Sequence, residues 1–368
     1  MKSNNKDCLN LFVGDTFGGI SSVYNVILST LSTRLKFVLV SYNSPLNTGF
    51  INFNLNKINL NVSPSTSLSF YIGFLKNFVL TYFKNNSFRK FILNNPTIAI
   101  LVFLLSNFLS ISYFLHIHEP VENIIKLKSN FSKKIYIFLL NLTLKNAIEV
   151  IFISKSVKQN YVSVVNFNGG LVIYNPIEIE SLIKLRKTID FNNKKKINFV
   201  SVGRLSKAKG YDIIISAAKN LVNKGVFNFK INIIGDGELY NSLSSKIKLN
   251  KLEEYISLLG FIENPYEHIN SADCYISSSK WEGLGLTLLY AMALRTPIIS
   301  SKTSGALELL NKNEQLFEIE NYIELSNLMS SFILNKNIFE NTIETNYQKS
   351  LYFDKRIINE DFFNVFSK

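Results

Sequence analysis

Arg204, Lys209 and Glu282 are the side chains best placed to do chemistry, because each lies beside a glycine where an apolar, strand-like run gives way to a helical pattern. In Val202-Gly-Arg-Leu-Ser-Lys-Ala-Lys-Gly210, Gly203 lets the backbone turn tightly, and two cations follow it. A planar guanidinium fork and an ammonium point charge suit a diphosphate. In Ser277-Ser-Ser-Lys-Trp-Glu-Gly-Leu-Gly285, the glycines let main-chain N–H groups approach a ligand, and the helix that follows adds a partial positive charge. A carboxylate there accepts hydrogen bonds from sugar hydroxyls. Ile234-Gly-Asp-Gly-Glu238 leaves a third strand, where a nucleotide base can pack. Each segment alone also has a plainer reading: a solvated basic loop, a helix-entry acid, or a glycine turn.

The elements that hold these segments alternate. Strands are expected at Ile197–Val202, Phe229–Ile234, Ile256–Leu259, Cys274–Ser277 and Pro297–Ser300. Helices are expected at Tyr211–Leu221, Glu238–Leu249, Leu286–Leu294 and Ile323–Leu334. Strand–helix alternation with short loops predicts a parallel, doubly wound sheet. The first half opens as Leu9–Val13, a loop Gly14–Gly19, a helix Ile20–Leu31 and a strand Phe37–Val40. Leu68–Leu93 reads as a basic, aromatic-rich helical region, and Phe131–Leu144 as a helix. Thr97–Leu115 is apolar enough to raise a membrane-spanning question, but it splits into strands Thr97–Phe103 and Ser112–His116. A polar stretch over 176–196 marks the domain boundary.

The chain has 368 residues, 47 % of them hydrophobic and 18 % charged, which suits two core-rich domains and excludes disorder. Residues 1–175 carry 16 Lys and Arg against five Asp and Glu, so nearly all of the net charge of +13 belongs to the first half. That half is expected to face an anionic partner. No module that reads nucleic acid is visible, so none is expected as a partner. Cys8 and Cys274 read as reduced, buried thiols of a cytoplasmic protein. The N-terminus lacks a signal-peptide pattern. No Cys/His cluster and no Asp-x-Asp motif points to a metal.

Together, Val202-Gly-Arg204, Lys209-Gly210, Gly235-Asp-Gly237, Leu259-Gly-Phe261, Ala272-Asp273, Ser278-Ser279 and Glu282-Gly-Leu-Gly285 resemble the retaining glycosyltransferases of family 4, group 1. Ala291-Met-Ala293, Pro297-Ile298 and Gly305-Ala-Leu-Glu308 continue the resemblance. It implies a GT-B fold, two Rossmann-like α/β domains facing across a cleft. Residues 1–176 would form the acceptor-side domain and 177–350 the nucleotide-sugar domain. A helix in 351–368 would cross back to the first. It also implies donor contacts from Gly18, Gly19, Gly235, Gly237, Phe261, Gly283, Leu284, Gly285 and position 290. His118, in His116-Ile-His-Glu119, would line the donor site. His116 is expected to face the other side of its strand.

The implied reaction moves a sugar, with retention, from a nucleotide diphosphate-sugar (a UDP-sugar is expected) to a saccharide or lipid-linked acceptor in polysaccharide or lipopolysaccharide synthesis. Arg204 and Lys209 would stabilise the leaving diphosphate without a metal or cofactor. The basic Leu68–Leu93 region, with Lys76, Lys84, Arg89 and Lys90, suits peripheral contact with the inner face of an anionic membrane. The family pattern places a second Glu eight positions after the first, where this chain has Tyr290. A phenol cannot make a carboxylate's bidentate contact with ribose. An inactive glycosyltransferase-like partner and a sugar-nucleotide epimerase are the rival readings.

Overall fold

The computed structural model describes residues 8–12, 19–41, 55–61, 68–125, 129–185, 196–310 and 315–368. The chain divides into two compact units, one of Met1–Pro176 with Lys355–Lys368 and one of Ile177–Asp354.

The first unit runs β1 (Leu9–Phe12), α1 (Gly19–Leu31), β2 (Phe37–Ser41), β3 (Asn56–Asn59), α2 (Leu68–Lys84), β4 (Lys90–Leu93) and α3 (Pro96–Ser106). It continues through β5 (Ser112–Ile117), α4 (Val121–Ile125), α5 (Asn130–Asn146), β6 (Glu149–Phe152), α6 (Lys155–Val165) and β7 (Leu171–Val172). All pairings are parallel, in the order β3-β2-β1-β4-β5-β6-β7. Right-handed crossovers put α1 on one face of this sheet. They put α2, α3, α5 and α6, which step the other way across it, on the opposite face.

Thr97–Phe103, expected as a strand, is the body of α3. The Asn95 side chain accepts from the N–H groups of Thr97 (2.9 Å) and Ile98 (3.1 Å), and Pro96 fills the first helical position. A helix packed between sheet and neighbours is apolar nearly all round, so periodicity could not separate it from a buried strand. The Leu68–Leu93 region is helical only to Lys84, and its end is strand β4. Arg89 turns inward rather than toward a membrane. Its guanidinium lies 3.6 Å over the Tyr82 ring and donates to the Tyr82 carbonyl at 2.9 Å.

The second unit runs α7 (Ile179–Lys184), β8 (Ile197–Val202), α8 (Tyr211–Asn223), β9 (Phe229–Ile234), α9 (Tyr240–Leu249), β10 (Ile256–Leu258) and α10 (Tyr266–Ser271). Then come β11 (Cys274–Ser277), α11 (Leu286–Ala293), β12 (Ile298–Ser301), α12 (Ser304–Leu309), β13 (Leu316–Phe317), α13 (Tyr322–Leu334) and α14 (Glu340–Ser350). The sheet order is β10-β9-β8-β11-β12-β13, all parallel. Ile214, Ala217, Ala218 and Leu221 of α8 pack with Phe199, Ile231, Ile233, Ile276 and Phe332 in one core. Strand order reverses between β8 and β11, and doubly wound sheets bind ligands at the carboxyl ends of strands beside such a point.

Helix α15 (Lys355–Phe366) belongs to the first unit. Phe366 stacks edge-on against Phe114 of β5, and the Asn359 amide donates to the Val26 carbonyl (3.2 Å) and to Thr30 (3.0 Å) of α1. Both cysteines are free and buried.

Candidate functional site

In the second unit, the loops leaving β8, β9, β10 and β11 are knitted by their backbones. Gly203 N–H donates to the Ile234 carbonyl (2.9 Å), Leu205 N–H to Asp236 (2.9 Å) and Gly235 N–H to Gly260 (2.8 Å). Gly235 has φ +144°, and a Cβ there would overlap the Gly203 carbonyl oxygen. A Cβ on Gly237 would lie 2.6 Å from the Leu205 carbonyl oxygen. These two glycines, expected to approach a nucleotide, therefore first allow their own loops to touch. Phe261 follows Gly260 with half its surface exposed, an apolar ring beside the same loops.

Across the switch point, Gly210 adopts φ +61°, and a Cβ there would overlap the Ser278 carbonyl oxygen. Ser278 Oγ donates to the Lys209 carbonyl (2.8 Å), and Lys280 N–H to Ala208 (2.7 Å). This clamp brings Lys209 Nζ into an ion pair with Glu282 Oε1, although 73 residues separate them. Ser279 Oγ donates to the same carboxylate oxygen at 2.8 Å. The pair lines a narrow crevice with Ser201, Tyr211, Ser278 and Thr287. It is mostly shielded, with 23 % of the Lys209 side chain and 14 % of Glu282 exposed. The first N–H groups of α11 begin beside it, at Gly285.

The other site residues are placed as follows. Arg204 lies on the same loop but in solvent, its Nε 3.4 Å from Glu238. Leu284 is buried, so it can meet a ligand only through its backbone. Gly283 and Gly285 flank it ahead of α11. Tyr290 is also buried. Its ring stands edge-on to Tyr266 of α10, centroids 4.8 Å apart, and the two phenols are hydrogen-bonded. Burial pushes the Tyr290 phenol well above its ordinary value, so it stays protonated. Tyr211, whose hydroxyl donates to the Gly203 carbonyl at 2.9 Å, was missed in the sequence. Its place at the first position of a helix resembles a core aromatic.

In the first unit, Gly19 opens α1, while Gly18 lies outside the described residues. His118 follows β5, and its ring centroid is 4.1 Å from that of His116. The expectation that His116 faces the other side fails because residues two apart share a strand face. Tyr24 of α1 was not anticipated. Its hydroxyl is hydrogen-bonded to His116 Nδ1 at 2.8 Å, and burial pushes the phenol up, so it stays protonated. Burial also pulls His118 down to about 3. Among the described residues, neither Nε2 has a hydrogen-bond partner. Both imidazoles are neutral.

Folding lowers the His118 pKa below the unfolded value of about 6.5, so between about 3 and 6.5 the unfolded chain binds the extra proton. Stability is full above about 6.5 and declines as pH falls toward 3. The melting temperature should therefore drop between pH 7 and pH 5, and His118→Gln should flatten that slope in calorimetry. An equal slope in the variant would contradict the assignment.

Residues 184–349 match the family model for glycosyl transferases group 1. The match lies within the second unit. Among curated proteins, the chain is 30 % identical over 206 residues to the N-acetylgalactosamine-N,N'-diacetylbacillosaminyl-diphospho-undecaprenol 4-alpha-N-acetylgalactosaminyltransferase of Campylobacter jejuni, covering 54 % of each. It is 28 % identical over 159 residues to the O-antigen biosynthesis glycosyltransferase WclY of Escherichia coli, covering 41 % of this chain and 42 % of that one. The chain spans about half the length of the curated relatives it matches. Among solved structures, Anabaena HepE in complex with UDP and glucose superposes with a TM-score of 0.79 at 19 % identity, covering 98 % of this chain and 99 % of that one. The two parallel-sheet units and this likeness make the fold GT-B. In the second unit, the Lys209–Glu282 pair occupies the switch point between β8 and β11. Among its described residues, no three His, Cys, Asp or Glu side chains are grouped to hold a metal ion.

Proposed function

We propose that the chain is a retaining glycosyltransferase that moves a sugar from a UDP-sugar to a hydroxyl of a saccharide or lipid-linked acceptor in cell-surface polysaccharide or lipopolysaccharide synthesis. The Lys209–Glu282 pair in a group 1 domain carries the reading. The names of the relatives, one acting on a diphospho-undecaprenol saccharide and one in O-antigen biosynthesis, support the acceptor class.

Lys209 lies where a diphosphate would meet the first turn of α11, so its ammonium can neutralise charge that grows on the leaving group. Glu282 holds that ammonium in place and keeps a second oxygen for sugar hydroxyls. Arg204, exposed and only loosely paired, can swing onto the diphosphate from the rim. In the first unit, neutral His118 is a hydrogen-bonding group that would add no charge to a substrate hydroxyl. No metal is required where two cations serve the leaving group.

The test is thermal stabilisation by UDP, GDP, ADP and TDP, followed by turnover of the matching sugar nucleotides. Stabilisation and turnover are expected with a UDP-sugar. Stabilisation by none of the four would sink the donor site. Binding without turnover across acceptors would favour an inactive partner, the reading that Tyr290 supports.

If Tyr290 stands at the ribose, Tyr290→Glu replaces a neutral contact by a charge-assisted one. UDP should then bind roughly tenfold more tightly in calorimetric titration. An unchanged Kd would remove position 290 from the ribose contact.

A further inference from the structure

Helices α2, α3 and α5 lie on one face of the first unit's sheet, and what they show to solvent is apolar and basic. Ile72, Leu80 and Phe83 recur along the outer stripe of α2, with exposed Lys76 at the same spacing. Leu104 and Phe108 stand out at the end of α3. Phe131, Ile135 and Phe138 recur along α5, beside Lys134. Phe83 is 71 % exposed, Phe108 86 %, Phe131 77 % and Phe138 63 %. Phenylalanine is normally among the most buried residues, and an apolar face of this kind marks a binding surface. Ser110 N–H donates to the Tyr82 hydroxyl at 3.0 Å, which ties the end of α2 to the segment leaving α3. Phe83 and Phe108 therefore belong to one edge of the face.

Charge selects the occupant. The three helices carry Lys76, Lys84, Lys133, Lys134 and Lys145 and not one Asp or Glu. A second copy docked face to face would set lysines against lysines. Among the described residues, no helix is long and apolar enough to cross a membrane, so a lipid occupant would be lain upon rather than spanned. We infer that this face seats the chain on an anionic phospholipid surface. Its phenylalanines enter the boundary between headgroups and acyl chains, and its lysines meet lipid phosphates. The inference rests on the surface alone and stands whether or not the chain transfers sugar.

The test is cosedimentation of the full chain with vesicles of phosphatidylcholine mixed with phosphatidylglycerol, and with vesicles of phosphatidylcholine alone. No donor or acceptor is present, so lipid binding is read apart from transfer. Pelleting is expected with the anionic vesicles, and high salt should weaken it. Lys76→Gln, Lys84→Gln and Lys134→Gln combined should lower the partition constant roughly a hundredfold. Phe83→Ser with Phe108→Ser should abolish pelleting at an unchanged melting temperature. If the phenylalanine variant does not fold, the lysine variant decides. Binding to neither vesicle, or equal binding to both, overturns the inference. So does a dimer in light scattering that the phenylalanine variant dissolves.

Discussion

Lys209→Ala is expected to lower kcat/KM for sugar transfer by about 10²–10³-fold, the cost of losing one preorganised charge aimed at a leaving group. Loss of the ammonium also leaves Glu282 with only the Ser279 hydroxyl among the contacts described above. The site is partly shielded, so the stability cost should fall between that of an exposed and a buried pair, about 1–3 kcal/mol. The two effects separate cleanly. Activity is read from nucleoside diphosphate release, and folding from the melting temperature. Glu282→Gln keeps a group that can accept from Ser279 but gives up the charge that anchors Lys209. The two single variants should therefore be strongly non-additive with the double variant, since each dismantles the same pair. Additive losses would mean that the two side chains act separately.

Gly235→Ala should cost about 3 kcal/mol or more and lower nucleotide affinity with it. The added methyl would run into the Gly203 carbonyl oxygen, and that oxygen already accepts the Tyr211 hydroxyl. Backbone faces backbone here, so no flexible side chain can give way. The loops leaving β8 and β9 must part, and the hydrogen bond from Gly203 to Ile234 goes with them. Gly225 is the control. Its φ is +78°, yet nothing lies within 4 Å of the position a methyl would take, so Gly225→Ala costs only backbone strain, about 1 kcal/mol. Denaturant midpoints for the two variants should differ accordingly. Equal midpoints would show that the close approach at Gly235 relaxes at little cost.

The second unit was legible because its strands are short apolar runs that end in glycine loops, so β8, β9, β11 and β12 all fell close to their expected places. The first unit hid more. β3 is Asn-Lys-Ile-Asn on a sheet edge, mostly exposed, and carries no apolar signal. Buried α3 carries too much of one. The candidate site was readable as residue types but not as contacts. Nothing in local spacing pairs Lys209 with Glu282, because a clamp from Gly210 and Ser278 creates that meeting. The departure at Tyr290 was plain, whereas its bond to Tyr266 depends on how α10 packs against α11. Strand alternation puts His116 and His118 on one face rather than on opposite faces, and Tyr24 leaves no local signal because its partner lies 92 residues away.

The return of α15 to the first unit has a consequence for biosynthesis. Residues 355–368 complete that unit, so all of Ile177–Asp354 must be made before it has its full set of residues. During synthesis, the domain that comes second in the sequence is the first able to finish folding, against the usual order for multidomain chains. Until Phe362 and Phe366 arrive, His116 and Phe114 each lack one of the aromatic rings that pack against them. The unit containing His118 is thus left unfinished in a nascent chain that already holds a complete second unit.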